Sequence, residues 1–448
     1  MVGIDERDQK QIQQLEGGLS GCGEEVGACR MGGAEPDAAV ARTSKTLLRN
    51  ERLDGEGVDE LLSEHSRSRR NLLRAGGLFG AIAAAGPILA PARAAACEGF
   101  GGGADEGGAQ PLFSREGGRV HVVESTSETV NWGVFDSTRP NIVDVDSGDV
   151  VSFRDTWSHF FNQLEPGLPI EQIVALRLAH PGVGPHSIVG PIGVLGAQPG
   201  DMLEVQYLRL HTDDFGACFN NPGYVGTGAL PDVFVDGQVK YFDLDQRSQT
   251  AEFAPGITLP MTPFQGTCGV APADGVYAPP PGRAVGVVSS VPPGQHAGNM
   301  DCRLAVEGSR LFVPVWKDGA KLFTGDSHAL QGDGEVNLCA METRMREVRV
   351  RLVLHKQVGW TWPMHETPSA WIVHGTNADL NVAFRTALLN AIAFLTGRAG
   401  LTQLDAYALC SLAVSFRVSQ VVNGAKGVYG VIPKSIFHPA LRRSITVI

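Results

Sequence analysis

Short strand-like runs separated by tight-turn signals dominate this chain from about residue 120 onward. The clearest runs are 120–124, 129–135, 149–154 and 202–210. Between them lie turn signals such as Pro199-Gly200, and proline followed by glycine suits positions i+1 and i+2 of a type II turn. Glycine (56) and proline (27) are frequent, and helix-period segments are rare before residue 376. The pattern therefore predicts a mainly β fold.

Two helices are predicted near the C-terminus. Apolar residues at 380, 383, 384, 387, 388, 391, 392 and 395 form one unbroken helical stripe. Asn377 or Asp379 caps this helix and Gly397 ends it. A second helix is predicted to start at Thr402 as N-cap, with Asp405 in its first turn. We therefore expect β-sandwich or barrel-like domains with a smaller α+β part carrying two helices.

The first hundred residues carry signals for export rather than for a folded core. Residues 1–65 are polar and lack sustained periodicity, which predicts a disordered extension. Residues 66–97 combine Arg69-Arg70, a weakly apolar run and small residues up to Ala96, which is typical of a twin-arginine signal peptide. Pro87 and Pro91 interrupt the run and favour a removed signal over a membrane span. Residues 98–117 read as a linker, and the protein is predicted to be periplasmic or secreted.

Charge and cysteine spacing exclude some classes of protein. The formal net charge is −11, and no basic stripe concentrates in the folded part, so a nucleic-acid partner is not expected. The eight cysteines form no CxxC pair, which argues against a zinc-finger or thioredoxin site. Buried free thiols are favoured over disulfides.

Side chains that can bind metals concentrate between His296 and Glu342, on turns rich in glycine. Asp326 and His328 are two residues apart, so on a strand they would face the same side. One histidine with two or three carboxylates can bind a divalent cation, and zinc is the predicted metal. The candidate residues in this stretch are Asn299, Asp301, Asp326, His328, Asp333, Glu335 and Glu342.

Other histidines and one cysteine are considered for roles in the same site. His180 and His186 flank a Gly-Pro turn, and His186 is the candidate that could complete the site. His159 and His365 are assigned structural roles. No GxSxG elbow, Walker loop or GxGxxG fingerprint is present, which disfavours α/β-hydrolases and nucleotide-binding folds. Cys339, close to Glu342, remains an alternative nucleophile of the nitrilase kind.

With these residues considered together, the sequence resembles the acetamidase/formamidase family. The segments that carry the resemblance are 186–201 (HSIVGPIGVLGAQPGD), 298–301 with 311–315, 325–342, 366–368 and 402–437. The resemblance covers roughly residues 118–438. It implies hydrolysis of formamide, acetamide or related short amides to ammonia and a carboxylate, a mostly β fold, and bound zinc or calcium in some members. Asn337, Arg303 and the export signal depart from the family pattern and bear on which amide is the substrate.

The sequence therefore predicts an exported, metal-assisted amidohydrolase that uses the twin-arginine machinery and forms a homo-oligomer, a dimer. A β-rich catalytic domain spans 118–345, and an α+β portion at 346–448 packs on it. Asp301, Asp326 and His328 would bind the metal, helped by His186 or Asp333. Glu335 or Glu342 would activate water, and Asn299 or a turn amide would stabilise the oxyanion. The alternatives are a catalytically inactive periplasmic amide-binding protein and an amidase with Cys339 as nucleophile.

Overall fold

The computed structural model describes residues 111–448 of the chain. The predicted disordered extension at 1–65, the predicted signal at 66–97 and residues 98–110 of the predicted linker lie outside the described residues.

The described residues form short strands and a few helices, most of the helical residues lying near the C-terminus. The strands are β1 (Val120–Glu124), β2 (Val130–Trp132), β3 (Val134–Asp136), β4 (Val143–Val145), β5 (Val150–Arg154), β6 (Ser187–Val194), β7 (Met202–Thr212), β8 (Phe215–Asn220), β9 (Gln238–Asp245), β10 (Thr250–Ala254), β11 (Ile257–Pro260), β12 (Phe264–Val270), β13 (Val287–Ser289), β14 (Ala297–Asn299), β15 (Arg310–Pro314), β16 (Leu322–Leu330), β17 (Met341–Glu342), β18 (Met345–His355), β19 (Met364–Glu366), β20 (Ala370–Asn377), β21 (Ser415–Gln420) and β22 (Lys426–Pro433). The helices are α1 (His159–Asn162), α2 (Ile170–Leu178), α3 (Leu380–Ala399), α4 (Gln403–Ala413) and α5 (Pro439–Ser444).

Two large sheets organise these strands. The first sheet has nine strands in the order β1-β5-β18-β7-β15-β19-β20-β22-β21. The second sheet has eleven strands, ordered β11-β10-β9-β8-β17-β16-β12-β14, with β6 pairing β16, β2 and β4. All these pairs are antiparallel except β1 with β5 and β4 with β6. Strands β3 and β13 form a separate pair. The prediction of a mainly β fold is confirmed.

The two sheets bury a shared apolar layer, as in a β-sandwich. Val205 and Val350 of the first sheet belong to the same buried cluster as Val189 and Leu322 of the second. Successive residues of a strand point to opposite faces, so the first sheet also packs on its other side. There Trp371 of β20 joins apolar residues of α3 and α4 in a second buried cluster. The helices therefore cover the outer face of the first sheet.

The two C-terminal helices begin where the sequence predicts. The Asp379 side chain accepts hydrogen bonds from the amides of Asn381 and Val382 at the start of α3. The Thr402 side chain accepts one from the amide of Asp405 at the start of α4. The predicted end of α3 at Gly397 was wrong, because Gly400, with φ of 70°, adopts the left-handed conformation that terminates a helix.

Strand β18 joins the two portions of the chain that we predicted as separate parts. It pairs with β5 on one side and with β7 on the other, in the middle of the first sheet. Its eleven residues therefore satisfy their backbone groups on strands from the region before residue 345. The predicted boundary between residues 345 and 346 thus falls inside a continuous sheet.

Candidate active site

Asp326 is the centre of a buried cluster on the second sheet. Asp326 and His328 both lie on β16, and Glu342 of β17 is the cross-strand partner of His328. His328 Nε2 is 3.1 Å from Asp326 Oδ1 and 3.2 Å from Glu342 Oε2. The side chains of Asp326 and His328 therefore meet, as their spacing on a strand predicts.

His159, which we assigned a structural role, reaches the same carboxylates. Its Nε2 lies 2.8 Å from Asp326 Oδ1 and 3.3 Å from Glu342 Oε2. It is the first residue of α1, where Phe160, Phe161 and Asn162 have φ of 56°, 58° and 66°. Three consecutive non-glycine residues in the left-handed region cost roughly 1–2 kcal/mol each. The surrounding structure therefore maintains a strained turn that positions this histidine.

His186 lies at the edge of the cluster just before β6. Its Nε2 is 3.9 Å from Asp326 Oδ2, and its Nδ1 is 2.7 Å from the Ser290 hydroxyl. Burial lowers the pKa of His186 to about 4, so the ring is neutral near pH 7. A hydrogen bond to one ring nitrogen orients the other, an arrangement common among metal-binding histidines. Ser290 therefore presents Nε2 towards the carboxylates.

Asp301 and Glu335 add two further carboxyl groups. Asp301 follows β14, with its Oδ1 4.0 Å from His328 Nδ1 and its Oδ2 2.5 Å from Asn423 Nδ2. Glu335 lies on a turn, and one of its carboxylate oxygens is within 4.8 Å of the potential metal-ligand atoms of His328 and Glu342. Burial, together with neighbouring carboxylates, raises the pKa of both Asp301 and Glu335 well above the usual values.

The pKa values of Asp326 and Glu342 are both lowered, the opposite direction to those of Asp301 and Glu335. Burial acts to raise the pKa of Asp326, but His328 and His186 outweigh it and hold the pKa well below its usual value. Against the same effect of burial, His328 and His159 lower the pKa of Glu342. The pKa of His328 is in turn raised well above its usual value, since Glu342 and Asp326 overcome its desolvation. His159 and His328 therefore favour the carboxylate forms of Asp326 and Glu342, and these carboxylates in turn raise the pKa values of both histidines.

The residues present fit a divalent cation. Asp301 Oδ1, His328 Nδ1 and Glu335 Oε2 are buried and have no hydrogen-bond partner among the described residues. Unpaired polar atoms are costly to bury, and a cation would satisfy them. The overlapping sets that could hold an ion here are His159 with His186 and Asp326, Asp301 with Asp326 and His328, and His328 with Glu335 and Glu342.

Gly266 of β12 keeps this space open. A Cβ atom at this position would lie 2.5 Å from both Asp326 Oδ2 and His328 Cε1, and 2.7 Å from Asp301 Oδ1. Such separations are far shorter than van der Waals contact, so only glycine leaves the carboxylate oxygens free to converge. Nothing in the periodicity of the sequence marked this residue.

A small cavity opens onto the cluster. Its free volume is about 20 Å³, which is room for roughly one water molecule. The residues around it are His159, Arg177, Pro185, His186, Phe219, Val291, Asn299, Asp301, Asp326, Glu335, Leu338, Glu342 and Asn423. Arg177 of α2 is the one arginine or lysine among these lining residues.

Two predicted site residues have other partners. Thr267 Oγ1 is 2.8 Å from Asn299 Oδ1 and 3.1 Å from Asp326 Oδ2, and Asn299 Nδ2 donates to the Val291 carbonyl. Asn299 therefore borders the cavity with one amide hydrogen already engaged. Asp333 accepts a hydrogen bond from the Tyr429 hydroxyl and is absent from the sets of metal-capable groups in the described residues.

Cys339 is a buried thiol beside the cluster. Its Sγ is 3.5 Å from Glu342 Oε1. Burial raises the pKa of this thiol well above its usual value, so the nucleophilic thiolate is disfavoured. It lies in the loop just before β17. His296 is also buried, and it belongs to none of the metal-capable sets in the described part of the chain.

We expect Asp333→Asn to leave turnover and bound metal within about twofold of wild type. The reason is that Asp333 is absent from the metal-capable sets of the described residues and accepts a hydrogen bond from the Tyr429 hydroxyl, which an asparagine oxygen can also accept. Steady-state kinetics, metal content by mass spectrometry and thermal unfolding check this result. A variant that loses its metal would place Asp333 back among the ligands.

Comparison with known proteins shows the family to which this chain belongs. Residues 138–279 and 283–439 match the sequence profile of the Acetamidase/Formamidase family. This chain belongs to the acetamidase/formamidase family. An acetamidase from Mycolicibacterium smegmatis is 28% identical, with 47% of this chain and 69% of that protein covered. A formamidase from Methylophilus methylotrophus is also 28% identical, with 47% and 66% covered.

Solved structures from the same family share the fold. The crystal structure of an acetamidase from Bacillus halodurans superposes with a TM-score of 0.61 at 28% identity, covering 71% of this chain and 98% of that one. The acetamidase from Yersinia enterocolitica gives a TM-score of 0.63 at 25% identity, covering 72% and 94%. Family membership makes this protein a hydrolase of amide carbon–nitrogen bonds.

Proposed function

We propose that this protein is a metal-dependent hydrolase of short-chain linear amides of the formamide and acetamide type, releasing ammonia and a carboxylate. The observation that carries this proposal is the cluster around Asp326, where unpaired carboxylate and imidazole atoms converge on a cavity. The relatives are named acetamidase and formamidase, which supports a short amide as the substrate. The small free volume of about 20 Å³ favours a small substrate.

The ligands in this proposal are Asp301, Asp326 and His328, with His159, His186 and Glu342 beside them. A bound divalent cation, zinc in this proposal and calcium in the alternative, supplies a Lewis acid and lowers the pKa of water to about 7. Asp333 is not among these ligands.

Glu335 is the residue best placed to move protons. Glu335 Oε2 and Glu342 Oε2 both lack a hydrogen-bond partner among the described residues, but Glu342 Oε1 accepts from the Ala340 amide and its Oε2 lies 3.2 and 3.3 Å from two histidines. Glu335 would accept a proton from water and return it to the nitrogen of the departing amine. Arg177, on the cavity wall, carries the charge that suits the carboxylate product.

Ammonia release from a series of amides tests the proposal. The zinc-loaded protein should hydrolyse formamide and acetamide, with kcat/KM falling as the acyl chain lengthens beyond the small cavity. Removal of the metal with a chelator should reduce turnover to background, and added zinc should restore it. Full activity in the metal-free protein would eliminate the metal from the mechanism.

The same assay separates the alternatives that the sequence left open. Saturable amide binding without ammonia release would identify a catalytically inactive binding protein. An amidase with Cys339 as nucleophile would lose activity on thiol alkylation and be protected by substrate. We expect Cys339→Ser to keep most of its turnover, because the buried thiol stays protonated.

We also propose export by the twin-arginine pathway and association into a dimer. Arg69-Arg70 and the run that ends at Ala96 support export. Apolar residues of α3 and α4 that remain exposed, such as Phe384, Leu389 and Tyr407, support self-association. Fractionation of wild-type and Arg69→Lys/Arg70→Lys cells tests the first proposal, and light scattering tests the second.

A further inference from the structure

A second group of metal-capable side chains lies between the sheets, apart from the cavity. Cys302, His365 and His374 each offer one donor atom, and the three atoms lie within 4.8 Å of one another. His365 pairs with Ile372 across β19 and β20, so His374, two residues further along, shares its face. His365 Nδ1 is 2.8 Å from His374 Nε2. We call these three residues the second cluster.

The second cluster occupies an apolar environment. Ile372, on the same face of β20, belongs to the core between the sheets, while Trp371 and Val373 face the helices. Cys302, His365 and His374 are at most 2% exposed. Two imidazoles are costly in such a layer unless their ring nitrogens have partners.

The protonation of the second cluster suits a cation. Burial lowers the pKa of His365 to about 3, and burial together with His365 lowers the pKa of His374 well below its usual value. Both imidazoles are therefore neutral, the form in which histidine binds metals. A bound cation deprotonates a coordinating thiol.

A small gap lies beside the second cluster and leaves room for a bound group. It has a free volume of about 10 Å³, close to one water molecule, and its lining includes Cys302, His365 and Tyr207. The Tyr207 hydroxyl is buried there, beside the Cys268 thiol. Gly266 borders both this gap and the carboxylates of the active site, so the two spaces lie on either side of β12.

We propose that Cys302, His365 and His374 bind a borderline-soft transition-metal cation of the zinc class at a second site, separate from the catalytic cluster. One thiolate and two imidazoles leave one tetrahedral position, and the gap has room for a water there. Two imidazole nitrogens on one zinc lie about 3.3 Å apart at Zn–N distances of about 2.0–2.1 Å. The contact between His365 and His374 must therefore lengthen by only a few tenths of an ångström.

Cobalt substitution of the full-length protein tests this proposal. Co²⁺ bound to a thiolate shows an intense charge-transfer absorption in the near ultraviolet. We expect this band in the wild type, its loss in Cys302→Ser and its retention in Cys339→Ser, the matched control beside Glu342. Metal content should fall by one ion per chain in Cys302→Ser, with circular dichroism confirming that the variant is folded.

Two further measurements decide the matter if Cys302→Ser does not fold. Zinc X-ray absorption of the wild type must show a sulfur neighbour, and its absence overturns the proposal. A His328→Ala variant, in which the catalytic cluster is broken, must retain the cobalt–thiolate band. If His328→Ala loses the cobalt–thiolate band, or if Cys302→Ser folds and keeps it, the proposal is overturned. The second cluster would then be a hydrogen-bonded pair of histidines beside a buried thiol. None of these readouts depends on amide hydrolysis.

Discussion

Gly266→Ala should reduce amide hydrolysis and binding of the catalytic metal to background while leaving the fold intact. The added Cβ would lie 2.5 Å from Asp326 Oδ2 and 2.7 Å from Asp301 Oδ1. Asp326 cannot retreat easily, because it lies in the interior of β16 and its Oδ1 is in contact with His159 and His328. The methyl group would therefore occupy the place where the carboxylate oxygens converge.

Gly332→Ala is the matched control for this prediction. A Cβ at Gly332 meets no heavy atom within 4 Å, and the residue lies on the loop that leads to Glu335. Both variants add one methyl group to a glycine, so only the position differs. Metal content, kcat and thermal unfolding should be unchanged in Gly332→Ala. If Gly266→Ala binds metal with wild-type stoichiometry, the cluster around Asp326 is not the metal site.

The parts of the fold that depend on local patterns could be predicted from the sequence. The sequence predicts Asn377 or Asp379 as the cap of one helix and Thr402 as the cap of the next, and in the structure Asp379 and Thr402 are the caps. Alternation of polar and apolar residues, as at the start of β18, predicts a strand but does not indicate its partners. Which strands pair depends on contacts distant in the sequence, so the predicted boundary at residue 345 split a sheet.

The candidate site could likewise be predicted only in part from the sequence. Asp326 and His328 could be placed together because residues two apart on a strand point to the same face of the sheet. His159 could not be placed, since its position depends on the left-handed turn at Phe160 and Phe161, which these residue types rarely adopt. Asp333 was predicted as a ligand from its neighbours in sequence. In the structure it faces Tyr429, which is 96 residues away along the chain.

Asp326→Asn should be the most damaging conservative substitution in the cluster. Asp326 Oδ1 contacts His159 and His328, and Oδ2 lies near His186 and Thr267. The amide keeps the shape of the side chain but removes the negative charge that it shares with three histidines. We expect kcat/KM to fall on the order of 10³-fold and metal affinity to fall with it, since the lost charge is desolvated.

The same substitution should change the titration of two histidines in the metal-free protein. The Asp326 carboxylate helps to raise the pKa of His159 and of His328 against the effect of burial. With asparagine in its place, both pKa values should fall, and ¹⁵N imidazole spectra across the pH range would measure the change. Asp333→Asn makes the identical chemical change seven residues along the chain and should leave both titrations unaltered. Unchanged histidine pKa values in Asp326→Asn would show that Asp326 is not their electrostatic partner, and wild-type turnover would remove it from the catalytic machinery.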